Sequence, residues 1–348
     1  MQKKIKTALV GFGFSGSTFH APFLNSLPQF QVTHVVSDNP ELVRKTYPTT
    51  QIISKQSILE CLANEQIDLI IISAPNSEHC SIAKQALKQN KHVLLEKPFV
   101  LDPIQGHELI DLAKERQKIL TVYHNRRWDS DFLTLKEVIK QGELGDINLF
   151  INRYDRYRPE VKYQRWKESE QLGSGTLWDL GSHLIDQTLT LFGIPDTIYA
   201  ELLPQRKGAK AIDYFELQFG YKSGLRARLS SSSLCYSPGP KYEVHGSKGS
   251  FIKFGQDPQE SSLIRNESPL NDNFGQESSS TYGHLSTALG SKQIPSLTGT
   301  YITFFKQLYN AILGKQEPPV SPYEALNVIK MIHLCEKSND LQKLIEVK

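Results

Sequence analysis

At 348 residues, 39% of them hydrophobic and 22% charged, the chain is long enough to bury two cores, and two domains are expected. Its 40 Lys and Arg stand against 37 Asp and Glu, and a net charge of +3 argues against a nucleic-acid or acidic-membrane partner. No window approaches the roughly 20 apolar residues of a membrane span, the apolar run after the basic start breaks too early for a secretory leader, and Cys61, Cys80, Cys235 and Cys335 lie too far apart for a zinc knuckle or a disulfide framework, so a reduced cytoplasmic protein without a metal is expected.

The first third alternates short β-rich runs with helical patterns. "IKTALVG", "FQVTHVV", "QII", "IDLIIISA", "KHVLLEK" and "KILTVYH" read as strands, separated by helical stretches such as "SEHCSIAKQALKQN" and "PIQGHELIDLAKERQ". Several of these strands are nearly continuous apolar runs, as expected of a parallel sheet covered by helices on both faces. The prediction for residues 1–124 is therefore an α/β Rossmann domain with a doubly wound parallel sheet.

From about residue 125 the pattern changes. A helix "DSDFLTLKEVIKQGELG" ends on glycine, and a strand "DINLFINRYDRY" follows. After the glycine-rich approach "GSGTLWDLGSHLID" come alternating segments "IDYFELQFGY", "GLRARLSSSS", "KYEVHGS" and "GSFIKF". Residues 125–348 are thus expected to form an α+β domain with a large, mostly antiparallel sheet. The stretch 255–298, rich in Ser, Asn, Gln and Gly, is read as a long loop. "YITFFKQLYNAILG" and "SPYEALNVIKMIHLCEKS" read as two closing helices.

"GFGFSG" (Gly11, Phe12, Gly13, Phe14, Ser15, Gly16) follows the first strand at the mouth of a helical pattern. There the first glycine permits a tight turn, the second lets backbone approach a pyrophosphate, and the third allows close helix–strand packing. Asp38, at the end of the second strand, is placed to accept hydrogen bonds from ribose hydroxyls and to repel a 2′-phosphate, which favours NAD over NADP. Two alternatives stay open: Asp38 caps the next helix, or Arg44 and Lys45 reach a 2′-phosphate.

"HVLLEKPF" ends a buried strand with Glu96 and Lys97, at the sheet edge where open α/β folds bind ligands. Asp179 and His183 lie four apart at a helix start, so both side chains share one face. They read either as a proton-handling pair or as a polar helix end with Asp179 as its cap.

Taken together, "GFGFSG", "APNSEHCSIAKQAL", "HVLLEKPF", "YHNRRWDSDF" and "GTLWDLGSHLIDQTLTLFG" resemble the Gfo/Idh/MocA family of NAD(P)-dependent oxidoreductases, and within it scyllo-inositol 2-dehydrogenases. The resemblance covers nearly the whole chain. It implies that Lys97 binds and polarises the reacting hydroxyl, that Asp179 and His183 handle and position the proton, and that Ala74, Pro75, Asn76, His79 and Glu96 lie along the cofactor. It also implies that residues 125–348 serve substrate binding and oligomerisation, in homodimers or homotetramers.

The chemistry agrees with these roles. Oxidising a secondary alcohol needs a hydride acceptor and a base for the hydroxyl proton. Histidine, with an unperturbed pKa of about 6.5, suits the base, and a lysine ammonium can stabilise developing alkoxide without a metal. Asn125, Arg126, Tyr157 and Arg158 are candidate donors to a polyhydroxylated ring, and Trp166 a candidate stacking surface. Two competing readings are an NADP-linked reductase of a keto-sugar or keto-inositol, and a dinucleotide-binding regulator without turnover; the joint presence of Lys97, Asp179 and His183 counts against the second.

Overall fold

The computed structural model describes residues 3–348; Met1 and Gln2, the start of the basic N-terminal run, lie outside the described residues. The chain divides into two compact units, one formed by Met1–Asn125, Gln259–Phe274 and Thr300–Leu326, the other by Arg126–Pro258, Gly275–Gly299 and Asn327–Lys348. Neither unit is one continuous stretch. Residues 259–274 and 300–326, expected in a second domain spanning 125–348, return to the first unit.

The first unit is built on six parallel strands, β1 (Ile5–Val10), β2 (Phe30–Val36), β3 (Gln51–Ile53), β4 (Leu69–Ile72), β5 (His92–Leu95) and β6 (Leu120–Val122), in the order β3-β2-β1-β4-β5-β6. Leu69–Ile72 and Val93–Leu95 have no exposed surface, which is why they carry no polar alternation. The chain runs outward from β1 in one direction and then, after β3, in the other. That reversal opens a crevice at the carboxyl ends of β1 and β4.

Helix starts in this unit follow their capping chemistry. Asp102 accepts a hydrogen bond from the Ile104 amide at 2.8 Å, with Pro103 leading the helix Pro103–Glu115. The returned helix Tyr301–Ile312 repeats aromatic and apolar residues at Tyr301, Phe304, Phe305, Leu308 and Tyr309, all buried. Phe305 stacks on Phe23 with ring centroids 5.3 Å apart, and Phe304 meets Tyr123 edge-on at 4.8 Å. Burying each such ring contributes roughly 1.5–3 kcal/mol, enough to recruit a segment distant in sequence. The Tyr301 amide donates to Gln259 Oε1 at 2.7 Å, so the two returned segments also hold each other.

The second unit is a nine-stranded sheet: β7 (Ile147–Arg153), β8 (Thr197–Leu203), β9 (Tyr214–Gly220), β10 (Arg226–Ser232), β11 (Tyr242–Gly246), β12 (Gly249–Lys253), β13 (Gly283–Thr287), β14 (Gly290–Ile294) and β15 (Ile345–Glu346). Their order is β14-β13-β12-β11-β7-β10-β9-β8-β15. Neighbours are antiparallel except for β7 and β10, which run parallel; between them the chain passes through the helix Ser182–Phe192 and then the strands β8 and β9. On β9 and β10 the buried residues alternate: Phe215, Leu217 and Phe219, then Ala227, Leu229 and Ser231.

The stretch 255–298 is not a continuous loop. It holds a helix at Gln259–Ile264 and the hairpin β13–β14. The hairpin gives no alternating apolar pattern because its outer strand is polar: on β14 four residues are exposed and only Ile294 is partly covered. β13 pairs with β12 and buries Leu285, whereas β14 is held by its backbone pairing to β13.

Candidate active site

In the first unit the strand order brings four loops to one edge: Gly11–Gly16 after β1, Ala74–Asn76 after β4, Glu96–Lys97 after β5 and Asn125 shortly after β6. Gly11 has φ +91°, and a Cβ there would lie 2.6 Å from the Ser73 carbonyl oxygen. A Cβ on Gly16 would lie 2.3 Å from the Gly11 carbonyl oxygen. Both contacts are with backbone, so neither position can yield. Gly13 differs: a Cβ there would meet nothing within 4 Å. Its backbone faces open space, which is the cradle a pyrophosphate needs, and the residues fit a dinucleotide.

The helix after this turn opens wide. Gly16–His20 forms a π-helical turn in which the Ala21 amide donates to the Gly16 carbonyl, before the α-helix Ala21–Ser26. Pro22 has no amide to give the carbonyl four residues back, so a regular α-turn would lose a bond here. The turn carries His20 inward to Glu96. Glu96 Oε1 accepts from Ser15 Oγ at 2.5 Å and lies 2.9 Å from His20 Nε2, while the Lys97 amide donates to Glu96 Oε2 at 3.1 Å. Burial alone would raise the Glu96 pKa. The hydrogen bond and charge of His20, the Ser15 hydroxyl and the Lys97 ammonium overcome it and hold the carboxyl at about 2. Glu96 therefore ties the end of β5 to the glycine turn.

His79 differs from its expected place along the cofactor. It is fully buried, with Nδ1 2.8 Å from the Pro98 carbonyl oxygen and Nε2 3.1 Å from that of Ala74. Burial lowers its pKa, against the pull of those carbonyls. The imidazole staples the loop after β4 to the loop after β5, where the Lys97–Pro98 peptide bond is cis. Phe12 is buried edge-on against Tyr47, so only its backbone is available to a ligand, whereas Phe14 is exposed.

Asp38 does not cap the following helix. Asn39 does so, its side chain accepting from the Leu42 amide at 3.1 Å. The Asp38 carboxylate is 56% exposed and lies 3.3 Å from Lys55 Nζ. Arg44 is turned away, donating to the carbonyls of Pro48 and Thr50 at 3.0 and 2.6 Å.

The second unit contains Asp179 and His183 on one continuous helical segment, a π-helical turn Leu177–Gly181 running into the α-helix Ser182–Phe192. Single π-turns of this kind occur disproportionately at functional sites. Asp179 Oδ1 accepts from Lys167 Nζ at 2.7 Å, and His183 is 5% exposed. Lys167 follows Trp166, whose ring is 37% exposed, on a short turn pinned at Glu168 by Arg206. Arg206 in turn holds Asp213 at 2.8 Å.

The same helix organises a buried polar network that the sequence did not reveal. Arg127 Nε and Nη2 donate to the Asp186 carboxylate at 2.9 and 2.7 Å, with both side chains nearly covered. Gln187 donates to the Arg126 carbonyl at 3.0 Å and accepts from Asn152 Nδ2 at 3.0 Å and Tyr242 Oη at 2.9 Å. Lys241, fully buried, donates to Asp131 at 2.6 Å and lies 3.5 Å from Asp129; burial would lower its pKa, but the two carboxylates raise it well above the ordinary value. Arg126 lies 3.4 Å from Asp129 and 5.1 Å over the Tyr154 ring, so it is engaged within the unit. Tyr157 and Arg158, two candidate donors, are both exposed on an extended segment beside Leu234. Tyr157 is exposed and packs edge-on against Tyr236 at 4.8 Å.

Comparison with known proteins decides what these loops and helices belong to. Residues 5–124 match the family description "Oxidoreductase family, NAD-binding Rossmann fold" of Gfo/Idh/MocA proteins, and residues 136–347 match "Oxidoreductase family, C-terminal alpha/beta domain". The chain belongs to the Gfo/Idh/MocA oxidoreductase family. Among its relatives it is 39% identical to the scyllo-inositol 2-dehydrogenase (NADP(+)) IolW of Bacillus subtilis, over 98% of this chain and 95% of that protein. It is 36% identical to the uncharacterized oxidoreductase YdgJ of Escherichia coli, over 96% of each. The solved structure of the oxidoreductase yvaA from Bacillus subtilis superposes with a TM-score of 0.95 at 38% identity, covering 100% of this chain and 99% of that one. This member of the Gfo/Idh/MocA family is thus an NAD(P)-binding oxidoreductase, and among the described residues no helix is long and apolar enough to cross a membrane.

Proposed function

We propose that this oxidoreductase is a metal-independent dehydrogenase that oxidises a secondary hydroxyl of a cyclic polyol, scyllo-inositol-like, or of a sugar, and that it prefers NAD. The observation that carries the reading is the helix Ser182–Phe192 with its π-turn, which holds a carboxylate and a covered imidazole four residues apart in a chain of this family. Bound nicotinamide supplies the hydride acceptor. Its pyrophosphate would be held by the backbone of Gly11–Gly16 and its ribose by Asp38, with Ala74, Pro75 and Asn76 beside it.

In this reading His183 takes the hydroxyl proton, Asp179 orients it, and the Lys97 ammonium stabilises charge developing on the oxygen. Lys167 keeps the Asp179 carboxylate in place. Glu96 and His79 position the loops that carry the cofactor and Lys97. Asn125, Arg126, Arg158 and Trp166 contribute to the substrate's surroundings, Arg126 through its fixed place on Tyr154. The preference for NAD rests on the exposed Asp38 carboxylate and on Arg44 being spent on backbone carbonyls. The NADP(+) in the name of the Bacillus relative favours a second reading, an NADP-linked enzyme in which Lys55 meets the 2′-phosphate.

We further place the enzyme in the cytoplasm, where its four free cysteines stay reduced, and as a homodimer or homotetramer joined through the outer face of the nine-stranded sheet. The test is reduced-cofactor absorbance with scyllo-inositol, myo-inositol and aldoses, each with NAD and NADP. Failure to reduce either cofactor with any of them removes the polyol reading.

A further inference from the structure

Two contacts fix how the helix Ser182–Phe192 lies along β7. At the end of the helix Phe192 meets Phe150 with ring centroids 5.1 Å apart, and earlier in it Gln187 accepts from Asn152 Nδ2 at 3.0 Å. Residue numbers fall along the helix as they rise along the strand, so the two run in opposite directions. One helical turn back from Gln187 stands His183, an advance of about 6 Å, and two residues on from Asn152 stands Tyr154, an advance of about 6–7 Å. Each step keeps the face of its own element, so His183 and Tyr154 come to the same level of the same layer. A third contact agrees. A Cβ on Gly181 would lie 3.5 Å from the Phe215 ring, Phe215 pairs with Ser231, and the Ser231 hydroxyl donates to the Tyr154 carbonyl at 2.6 Å.

Tyr154 is 3% exposed. A tyrosine so covered ordinarily spends its hydroxyl on a partner, as Tyr242 does on Gln187 at 2.9 Å and Tyr221 on the Gly193 carbonyl at 3.1 Å. Among the described residues the Tyr154 hydroxyl has no such partner, and it is not one of the sealed polar atoms, so the little surface the residue keeps includes that oxygen. The ring, by contrast, is clamped. Arg156, two residues along the strand, lies 4.7 Å over it, with Arg126 at 5.1 Å and Lys241 at 5.9 Å. Lys241 and Arg126 are themselves held by Asp129 and Asp131, whose side chains have no exposed surface. Burying such charges stabilises a fold no better than apolar packing would, and a phenylalanine would fill the place of the ring without leaving a donor unused. The arrangement is that of a rigid mount for one O–H.

We propose that the Tyr154 hydroxyl binds the substrate, donating a hydrogen bond to a second hydroxyl oxygen of the polyol whose carbinol is oxidised at His183. The proposal rests on the dehydrogenase reading and deepens it: the substrate must carry at least two hydroxyls, and the second is recognised within the same layer as the base. Tyr154 makes and breaks no covalent bond. A site built around a hydrogen bond to a substrate hydroxyl selects more sharply than an apolar pocket of the same shape, because the donor is left unpaired by a molecule that lacks the hydroxyl.

The test is Tyr154→Phe in the full-length enzyme, with scyllo-inositol, myo-inositol and D-glucose as substrates and NAD and NADP as cofactors. The variant is expected to keep the wild-type melting midpoint and NADH affinity, since the hydroxyl has no partner in the chain to lose. Its kcat/KM for the polyol that the wild type oxidises falls about 10- to 100-fold, chiefly through KM. Tyr221→Phe, which loses a bond inside the protein, shows the reverse: a lower midpoint with kcat/KM kept. A Tyr154→Phe enzyme within about twofold of wild-type kcat/KM overturns the proposal and leaves the dehydrogenase standing. So does a loss of rate matched by a fall in the melting midpoint, which marks the hydroxyl as structural. Calorimetric titration of scyllo-inositol and D-glucose into the NADH-loaded enzyme separates the two readings. Saturable binding weakened about tenfold by Tyr154→Phe, without turnover of any polyol, keeps the contact and removes the dehydrogenase; no saturable binding to the wild type removes the contact.

Discussion

Glu96 Oε1 lies 2.9 Å from His20 Nε2, joining the end of β5 to the π-turn that follows the glycine loop. Ser15 adds a 2.5 Å bond to the same oxygen. One carboxylate thus sets the shape of the cofactor-binding edge.

The Glu96 pKa of about 2 lies below its ordinary value of 4.5, because His20, Ser15 and Lys97 outweigh burial. A depressed folded-state pKa gives stability that is present above about pH 4.5 and is lost as the pH falls toward 2, on the order of 3 kcal/mol. Urea midpoints measured from pH 6 to pH 3 are expected to fall for the wild type. Glu96→Gln should be less stable at pH 6 and flatter with pH. An identical slope in both would detach Glu96 from acid sensitivity.

Gly16→Ala puts a Cβ 2.3 Å from the Gly11 carbonyl oxygen. The helix must shift, with a stability cost of about 1–3 kcal/mol and a loss of dinucleotide affinity. Gly13→Ala has open space around its Cβ and should keep the fold while weakening binding, a contrast read by thermal melts and NADH fluorescence.

Asp38→Ala removes the negative charge proposed to meet the ribose and leaves Lys55 in place. The ratio of kcat/KM for NADP to that for NAD should rise by about tenfold or more. A ratio that stays put assigns cofactor choice to other residues.

Lys97→Ala should lower kcat by about 100-fold or more while NADH still binds, since the lysine is proposed to act on the reacting oxygen. His183→Asn should lower kcat by about 100- to 10,000-fold and flatten the alkaline rise of the rate. Wild-type pH dependence in His183→Asn would show that another group takes the proton.

Arg127→Ala strands the Asp186 carboxylate, whose side chain is only 2% exposed. Breaking such a pair should cost about 3–5 kcal/mol by chemical denaturation. Arg127→Met with Asp186→Leu should recover much of that loss, because the charge is then gone from both sides.

The residues show why some of this was legible beforehand. Leu69–Ile72 and Val93–Leu95 announce a twice-covered parallel sheet by having no polar alternation, and Gly11 and Gly16 announce a turn whose backbone leaves no room for a Cβ at either position. β14, read as loop, carries no burial signal, because hydrogen bonds to β13 rather than apolar contacts define it. Asp38 and Asn39 are adjacent and both suited to capping; only the backbone geometry chose Asn39.

Local chemistry in the sequence was enough to determine the two kinds of sheet, the glycine turn after β1 and the family, because glycine conformations, strand periodicity and caps act over a few residues. Tertiary structure decided which distant groups meet: Glu96 with Ser15 and His20, Lys167 with Asp179, His79 with two carbonyls, and the segments 259–274 and 300–326 with the first unit. Those pairings arise from buried charges and rings finding partners across many residues, and burial is a property of the folded chain, not of any short stretch of it.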